Sequence, residues 1–496
     1  MNYQSTRNTE LHISSCEAIA KGLSDDGGLF VPCEFPSLRE NLEGMVSLDY
    51  KDRAKIVLSK FLTDFSPEEI NNCVENAYKG ENFDCSDICS ISLISPQKYI
   101  LELWHGPTCA FKDMALQILP YLLTVSAKKV NKGKETVILV ATSGDTGKAA
   151  LDGFCDVENT KIIVFYPEDG VSNMQKLQMT TQEGENVEVC AVKGNFDHAQ
   201  NGVKAIFGDQ KLSEKLLAQN KVFSSANSIN WGRLVPQIVY YVSAYLELVK
   251  QGEISLGDSV NVAVPTGNFG NILAAYYAKM MGIPFTKMIC ASNANNVLTD
   301  FIETGVYNRN RTFYQTASPS MDILISSNLE RLLFELSDSD DREVCELFGK
   351  LKNKGIYEIT DSMKSRLQRD FAAGFCDDVK TKETIAEVFK KTHYLLDTHT
   401  AVAVAVYEEY VQKTGDKTKT LIASTASPYK FAGSVIDAIA PEYDGEDEAD
   451  MLGRIEELSG LKIPASLAKL GQKKVRFKDS IEPDEMKEYV EKILGV

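Results

Sequence analysis

From about residue 98 onward the chain alternates short apolar runs with longer segments in which apolar residues recur every three to four positions. The runs YILELW (99–104), TVILVATS (136–143), KIIVFYP (161–167), VEVCAV (187–192), SVNVAVPT (259–266), KMICAS (287–292) and KTLIAST (419–425) are β-branched and nearly continuous in hydrophobicity. Strands buried on both faces of a parallel sheet read this way, whereas half-exposed strands alternate apolar and polar. Helical patterns such as MALQILPYLLTVSAKKV (114–130) and GNILAAYYAKMMG (270–282) lie between them. The alternation predicts a doubly wound α/β architecture. There are more runs than one sheet comfortably holds, so two α/β lobes with a cleft between them are expected.

Two regions break the rhythm. Residues 1–95, with DDGGLF, VPCEFP and a helical stretch near 50–62, are expected to form a small N-terminal domain. Residues 322–412 are mostly charged amphipathic helix with no convincing strand and read as a helical insertion. The catalytic α/β region is then 96–440, with its smaller lobe at about 113–200, and 441–496 are left as a C-terminal tail. That tail opens on an acidic segment, DGEDEAD (444–450), expected as an exposed loop. At 496 residues and 44% hydrophobic, the chain can bury a large core in two to four domains.

Charge narrows the partners. A formal charge of −17 repels nucleic acid and anionic lipid, so neither is expected. Acidity is also simply what keeps many enzymes in solution. The eleven cysteines include no CxxC, and His12/Cys16 and His105/Cys109 each lack a second local pair. A zinc site or disulfide framework is therefore not expected. The first residues, MNYQSTRNTELH, lack a signal-peptide core, and no run approaches the ~20 apolar residues of a membrane span. A cytoplasmic protein is expected, with monomer and homodimer both open.

Unusual polar sequence collects at strand ends, where open α/β sheets bind ligands. HGPTCAFKD (105–113) puts Lys112 at a helix start, an end that favours anions. That lysine is either a solvated first-turn residue or an amine committed to an imine or a bound anion. PTGNFGN (265–271) is either an ordinary glycine turn or a phosphate nest of free N–H groups, with Gly267 and Gly270 admitting close backbone approach. Its spacing is not GxGxxG. ATSGDTGKAA (141–150) misses the Walker A pattern at Thr142 and Ala149. It reads as a capping turn built on Asp145 or as a carboxylate site using Ser143 and Thr146. SSANSINWGR (224–233) offers Asn227, Ser228, Asn230 and the fork of Arg233, for an anion or merely for a helix cap. IASTASPYK (422–430) closes the set with Ser424, Thr425 and Ser427, which also serve as plain turn residues.

In order, HGPTCAFKD, TSGDTG, NSINWGR, PTGNFGN and STASPYKF, with STRN (5–8) and EAIAKGLSDDGGLFVP (17–32), resemble the threonine synthase family, pyridoxal 5′-phosphate (PLP) enzymes of the tryptophan-synthase β type and fold type II. The resemblance covers nearly the whole chain. It implies that Lys112 carries PLP as a Schiff base, that Gly267, Asn268, Phe269, Gly270 and Asn271 cup its phosphate, and that Thr425 faces the pyridine nitrogen. Asp145 and Thr146 match positions near the cofactor's 3′-oxygen and the substrate carboxylate; Asn227, Ser228 and Arg233 match those for the substrate phosphate. The implied reaction turns O-phospho-L-homoserine and water into L-threonine and phosphate. A phospho-lyase yielding 2-oxobutyrate and a non-catalytic PLP-binding homologue are the alternatives. Two positions depart from the family: Ser427 stands where His is common, and Lys148 where a small residue is usual.

Overall fold

The computed structural model describes residues 1–168, 170–445 and 447–496, with the side chain of Asp197 outside the description as well. Within these residues a six-stranded sheet runs in the order Phe371–Phe375, Phe285–Ser292, Val260–Pro265, Thr420–Ser424, Lys98–Glu102, Ser90–Ser95. Every neighbouring pair is parallel except the last. A five-stranded, fully parallel sheet has the order Ser480–Ile481, Val187–Val192, Thr160–Pro167, Glu135–Ala141, Lys221–Ser225. Both sheets are covered by helices, as their unbroken hydrophobicity demands. The helices Trp231–Lys250 and Gly270–Met280 pack on one face of the larger sheet and Thr398–Thr414 on the other. The mixed α/β class and the two lobes follow the hydrophobic pattern.

The N-terminal residues build a small antiparallel sheet, Asn8–Ile13, Tyr3–Ser5, Phe30–Pro32, and the helices Tyr50–Phe61 and Pro67–Ala77. It shares the main core, since Tyr3 and Phe61 pack edge-on against buried Trp231 at 5.4 and 5.6 Å.

The stretch 322–412, read as strandless, contains the edge strand Phe371–Phe375 and the short Ile356–Glu358. FAAGF hides from a hydrophobicity reading because the helix Thr398–Thr414 presses on it: a Cβ on Gly374 would stand 2.9 Å from Val406. Small residues are what the space allows. The segment 441–496, read as a tail, supplies an edge strand to the five-stranded sheet, and its helix Met486–Leu494 packs on Phe196–Phe207. Of the acidic loop, Glu446 lies outside the described residues, and Asp447 caps the helix Glu448–Ser459 by accepting from Ala449 N and Asp450 N.

The helix pattern over 114–130 is split into Asp113–Leu116 and Leu119–Val130. Pro120 is the cause, having no N–H for the Leu116 carbonyl. Gly153, on the helix Asp145–Gly153, fits against that freed oxygen, where a Cβ would collide.

Candidate active site

Strand order brings the motifs together. Lys98–Glu102, Thr420–Ser424 and Val260–Pro265 are parallel neighbours, so HGPTCAFKD, STASPYK and PTGNFGN leave the same carboxyl end of the sheet side by side. The first two loops are joined through their backbones. Ala110 bridges Ala426, Phe111 N donates to Thr425 O at 2.8 Å, and Ser427 N donates to Cys109 O at 3.0 Å. Lys112 follows this turn and is 9% exposed.

The smaller lobe brings the other two motifs. Glu135–Ala141 and Lys221–Ser225 are adjacent, and Asn227 Nδ2 donates to Ala141 O at 3.0 Å. In TSGDTG the hydroxyl of Thr142 accepts from Gly144 N at 2.9 Å and Gly147 N at 2.8 Å. Thr142 therefore does the capping, and the Asp145 carboxylate is left for the cleft. Gly144 sits at φ +133°, where a Cβ would strike Gln175.

Asp145 is the electrostatic centre. Its Oδ1 is 2.6 Å from Lys430 Nζ and accepts from Gln175 Nε2 at 2.8 Å. Its Oδ2 accepts from Ser320 Oγ at 3.2 Å and lies 3.4 Å from Lys112 Nζ. Burial raises a carboxylate's pKa, but Lys430 and Lys112 outweigh it and hold Asp145 well below the usual range. Lys112 moves the other way. Burial lowers it, Asp145 opposes that, and the charges of Lys430 and Arg233 add to the lowering.

The pocket between the loops is lined by Lys112, Asp145, Thr146, Ser228, Arg233, the whole of Gly267, Asn268, Phe269, Gly270 and Asn271, and Thr425. Ser143 and Asn227, expected with them, are not among its lining residues. Four lining residues had no motif to announce them: Gln237, Ser320, Met321 and His399. Ser320 lies in the irregular stretch before Leu329–Leu336, and His399 on the first turn of Thr398–Thr414 accepts from Ser320 N at 3.1 Å. Lys430 was quoted within STASPYKF, but one lysine in an apolar context gives no sign of burial or partner.

An anionic occupant fits this wall. Phe269 takes φ +64° at the entrance to Gly270–Met280, whose first N–H groups have no partner within the helix. The loop's carbonyls are already used: Gly267 O accepts from Ser326 Oγ at 2.7 Å, and Asn268 O from Asn328 N at 3.0 Å. A Cβ on Gly267 would be 2.7 Å from Ser320 O, so only glycine lets the 318–321 segment close here. Among the described residues, Arg233 Nε and Asn271 Nδ2 are buried donors without a protein partner. Buried polar groups are nearly always paired, so a ligand acceptor is what both lack.

A doubly wound fold with a buried amine and a glycine-rich loop at strand ends of one sheet suits a pyridoxal-phosphate dependent enzyme, and the family so described matches residues 97–356. The flanks match "Threonine synthase N terminus" over 2–78 and "Threonine synthase, C-terminal" over 400–490. The chain belongs to the threonine synthase family. It is 44% identical to human "Threonine synthase-like 1" over 88% of this chain and 59% of that protein, so it spans well under two thirds of that relative's length. Threonine synthase of Saccharomyces cerevisiae is 34% identical, over 99% of this chain and 98% of the relative. The PLP-bound threonine synthase structure from Brucella melitensis superposes with a TM-score of 0.85 at 35% identity, covering 99% of this chain and 98% of that one.

Proposed function

We propose that this enzyme converts O-phospho-L-homoserine and water into L-threonine and phosphate. The observation that carries the reading is the pocket itself, where buried Lys112 shares a wall with the buried, unpartnered Nε of Arg233. PLP bound on Lys112 supplies an electron sink for carbanion chemistry next to the substrate's amino group. The N–H groups of 267–271 and Asn271 Nδ2 would hold its phosphate, and Thr425, on the same wall, would meet its ring.

The chain's own groups do the rest. Lys112 Nζ, depressed by burial, takes the proton from substrate Cα and moves protons at Cβ. Arg233 stays cationic although burial pulls it down to about 10, and with Ser228 it binds the substrate phosphate and steadies it as it leaves Cγ. Asn328 Nδ2 donates to Ser228 Oγ at 3.1 Å and sets that hydroxyl. Thr146 and the N–H groups at the start of Asp145–Gly153 take the carboxylate. Water then adds at Cβ. The free state of all eleven cysteines suits a reducing compartment, and we place the protein in the cytoplasm; no helix among the described residues is long and apolar enough to cross a membrane.

Product analysis tests this. Purified protein with PLP and O-phosphohomoserine is expected to release threonine and phosphate in equal amounts. A dominant 2-oxobutyrate product overturns the reading. Lys112→Ala is expected to lose the visible absorbance of bound cofactor and at least ~10²–10⁴-fold in turnover.

A further inference from the structure

Lys430 is the second lysine at Asp145, and nothing in the proposed chemistry uses it. Its side chain is fully buried, in the turn Pro428–Phe431 that follows Thr420–Ser424. Nζ donates to Thr108 O at 3.0 Å, on the turn leading to Lys112, and pairs with Asp145 Oδ1 at 2.6 Å. Placing an ammonium here is costly, and a tight pair is what makes it tolerable. One carboxylate thus faces two lysines but is in close contact with only one, since Lys112 Nζ stands 3.4 Å from the other oxygen.

We propose that Lys430 is a positioning residue: it holds Asp145 in its own ion pair and so sets how readily the Lys112 nitrogen gives up its proton. This rests on Lys112 being the cofactor lysine. The charged and titratable groups around Lys112 come from every packed element: Asp145 on the small-lobe helix, Lys430 on the turn, Arg233 on Trp231–Lys250, and His399 on Thr398–Thr414. Asp113, next in the chain, is taken up by Thr108 N at 2.9 Å and Thr108 Oγ1 at 2.6 Å. Of the charges that act most on Lys112, two are cations, Lys430 and Arg233, and one is an anion, Asp145, which favours an uncharged Lys112 nitrogen. Without Lys430, Asp145 would have Lys112 as its nearest cation, and the balance would tip toward the protonated form.

The test is a pH titration of the long-wavelength absorbance of the full-length, PLP-loaded protein. Lys430→Met is expected to move the midpoint upward by about one unit or more, and the acid limb of the kcat profile with it. Lys430→Arg, which keeps the charge, is expected to titrate near the wild type. If the Met variant fails to fold, Lys430→Gln carries the same expectation. A folded Met or Gln variant that titrates as wild type, even with lower stability, overturns the proposal and shows a structural role only. Equal shifts in the Met and Arg variants overturn it too. Absence of the band in wild-type protein instead strikes the assignment of Lys112 itself.

Discussion

His105 stands between two carboxylates, Nδ1 at 2.5 Å from Asp84 Oδ1 and Nε2 at 2.8 Å from Glu102 Oε2, with Trp104 stacked on the ring at 4.3 Å. Ser90 Oγ is 3.2 Å from Nε2, which completes a serine–histidine–aspartate line. The line is not a nucleophile. Burial alone would lower His105, but Asp84 and Glu102 raise it to about 9, so the ring is charged and cannot accept the serine proton. Because the folded value lies above the reference of 6.5, this contribution to stability is complete below pH 6.5 and is lost as pH rises through about 9. It amounts to on the order of 2 kcal/mol. His105→Gln is expected to remove that dependence, as measured by urea unfolding of both proteins across this window. Single residues of this kind were the least legible in sequence. Lys112 could be singled out because it sits in the first of five motifs that keep a family's order, while Lys430, Ser320 and His399 acquire meaning only from partners brought close by the fold.

At the level of elements, neighbours decide the sign of a mutation. Alanine is the better helix former, by up to about 1 kcal/mol over glycine. Gly349, in the helix Asp341–Lys354, has nothing within 4 Å of a new Cβ, so Gly349→Ala is expected to stabilise by about 0.5–1 kcal/mol. Gly153 is helical too, but its Cβ would meet the Leu116 carbonyl, a main-chain atom that cannot swing aside. Gly153→Ala is expected to destabilise by about 1–3 kcal/mol, and thermal unfolding of the pair checks both signs. The same dependence explains which strands could be read in advance. The seven quoted runs are each buried across nearly their whole length, and hydrophobicity exposes such strands. Lys221–Ser225 and Phe371–Phe375 are edge strands, short and rich in small or polar residues, and they form because a neighbouring strand offers a free edge.

At the level of the whole molecule, the terminal regions are ties between parts. Arg7 and Thr6 of the N-terminal domain both bond Glu330, at 2.8 and 2.6 Å, just beyond the Asn328 that sets Ser228. At the other end, Arg476 donates to Gln182 O and Gly184 O, and Met486 and Val490 are buried against the small lobe. Met486→Ala is expected to cost about 2–5 kcal/mol. Hydrogen exchange is expected to quicken in Val187–Val192 while Val260–Pro265 stays protected, which separates a small-lobe effect from global loosening. None of this was visible in a C-terminal segment whose strand is only two residues long.

That strand also imposes a schedule on biosynthesis. Lys193 and its partner Glu482 are 289 residues apart, so the edge beside Val187–Val192 leaves the ribosome long before anything can cover it. At ~5–20 residues per second the gap is roughly 15–60 s, during which an apolar sheet edge lies open to other nascent chains. Yield in cells will therefore respond to chaperone supply and translation speed more sharply than the stability of the finished fold would suggest.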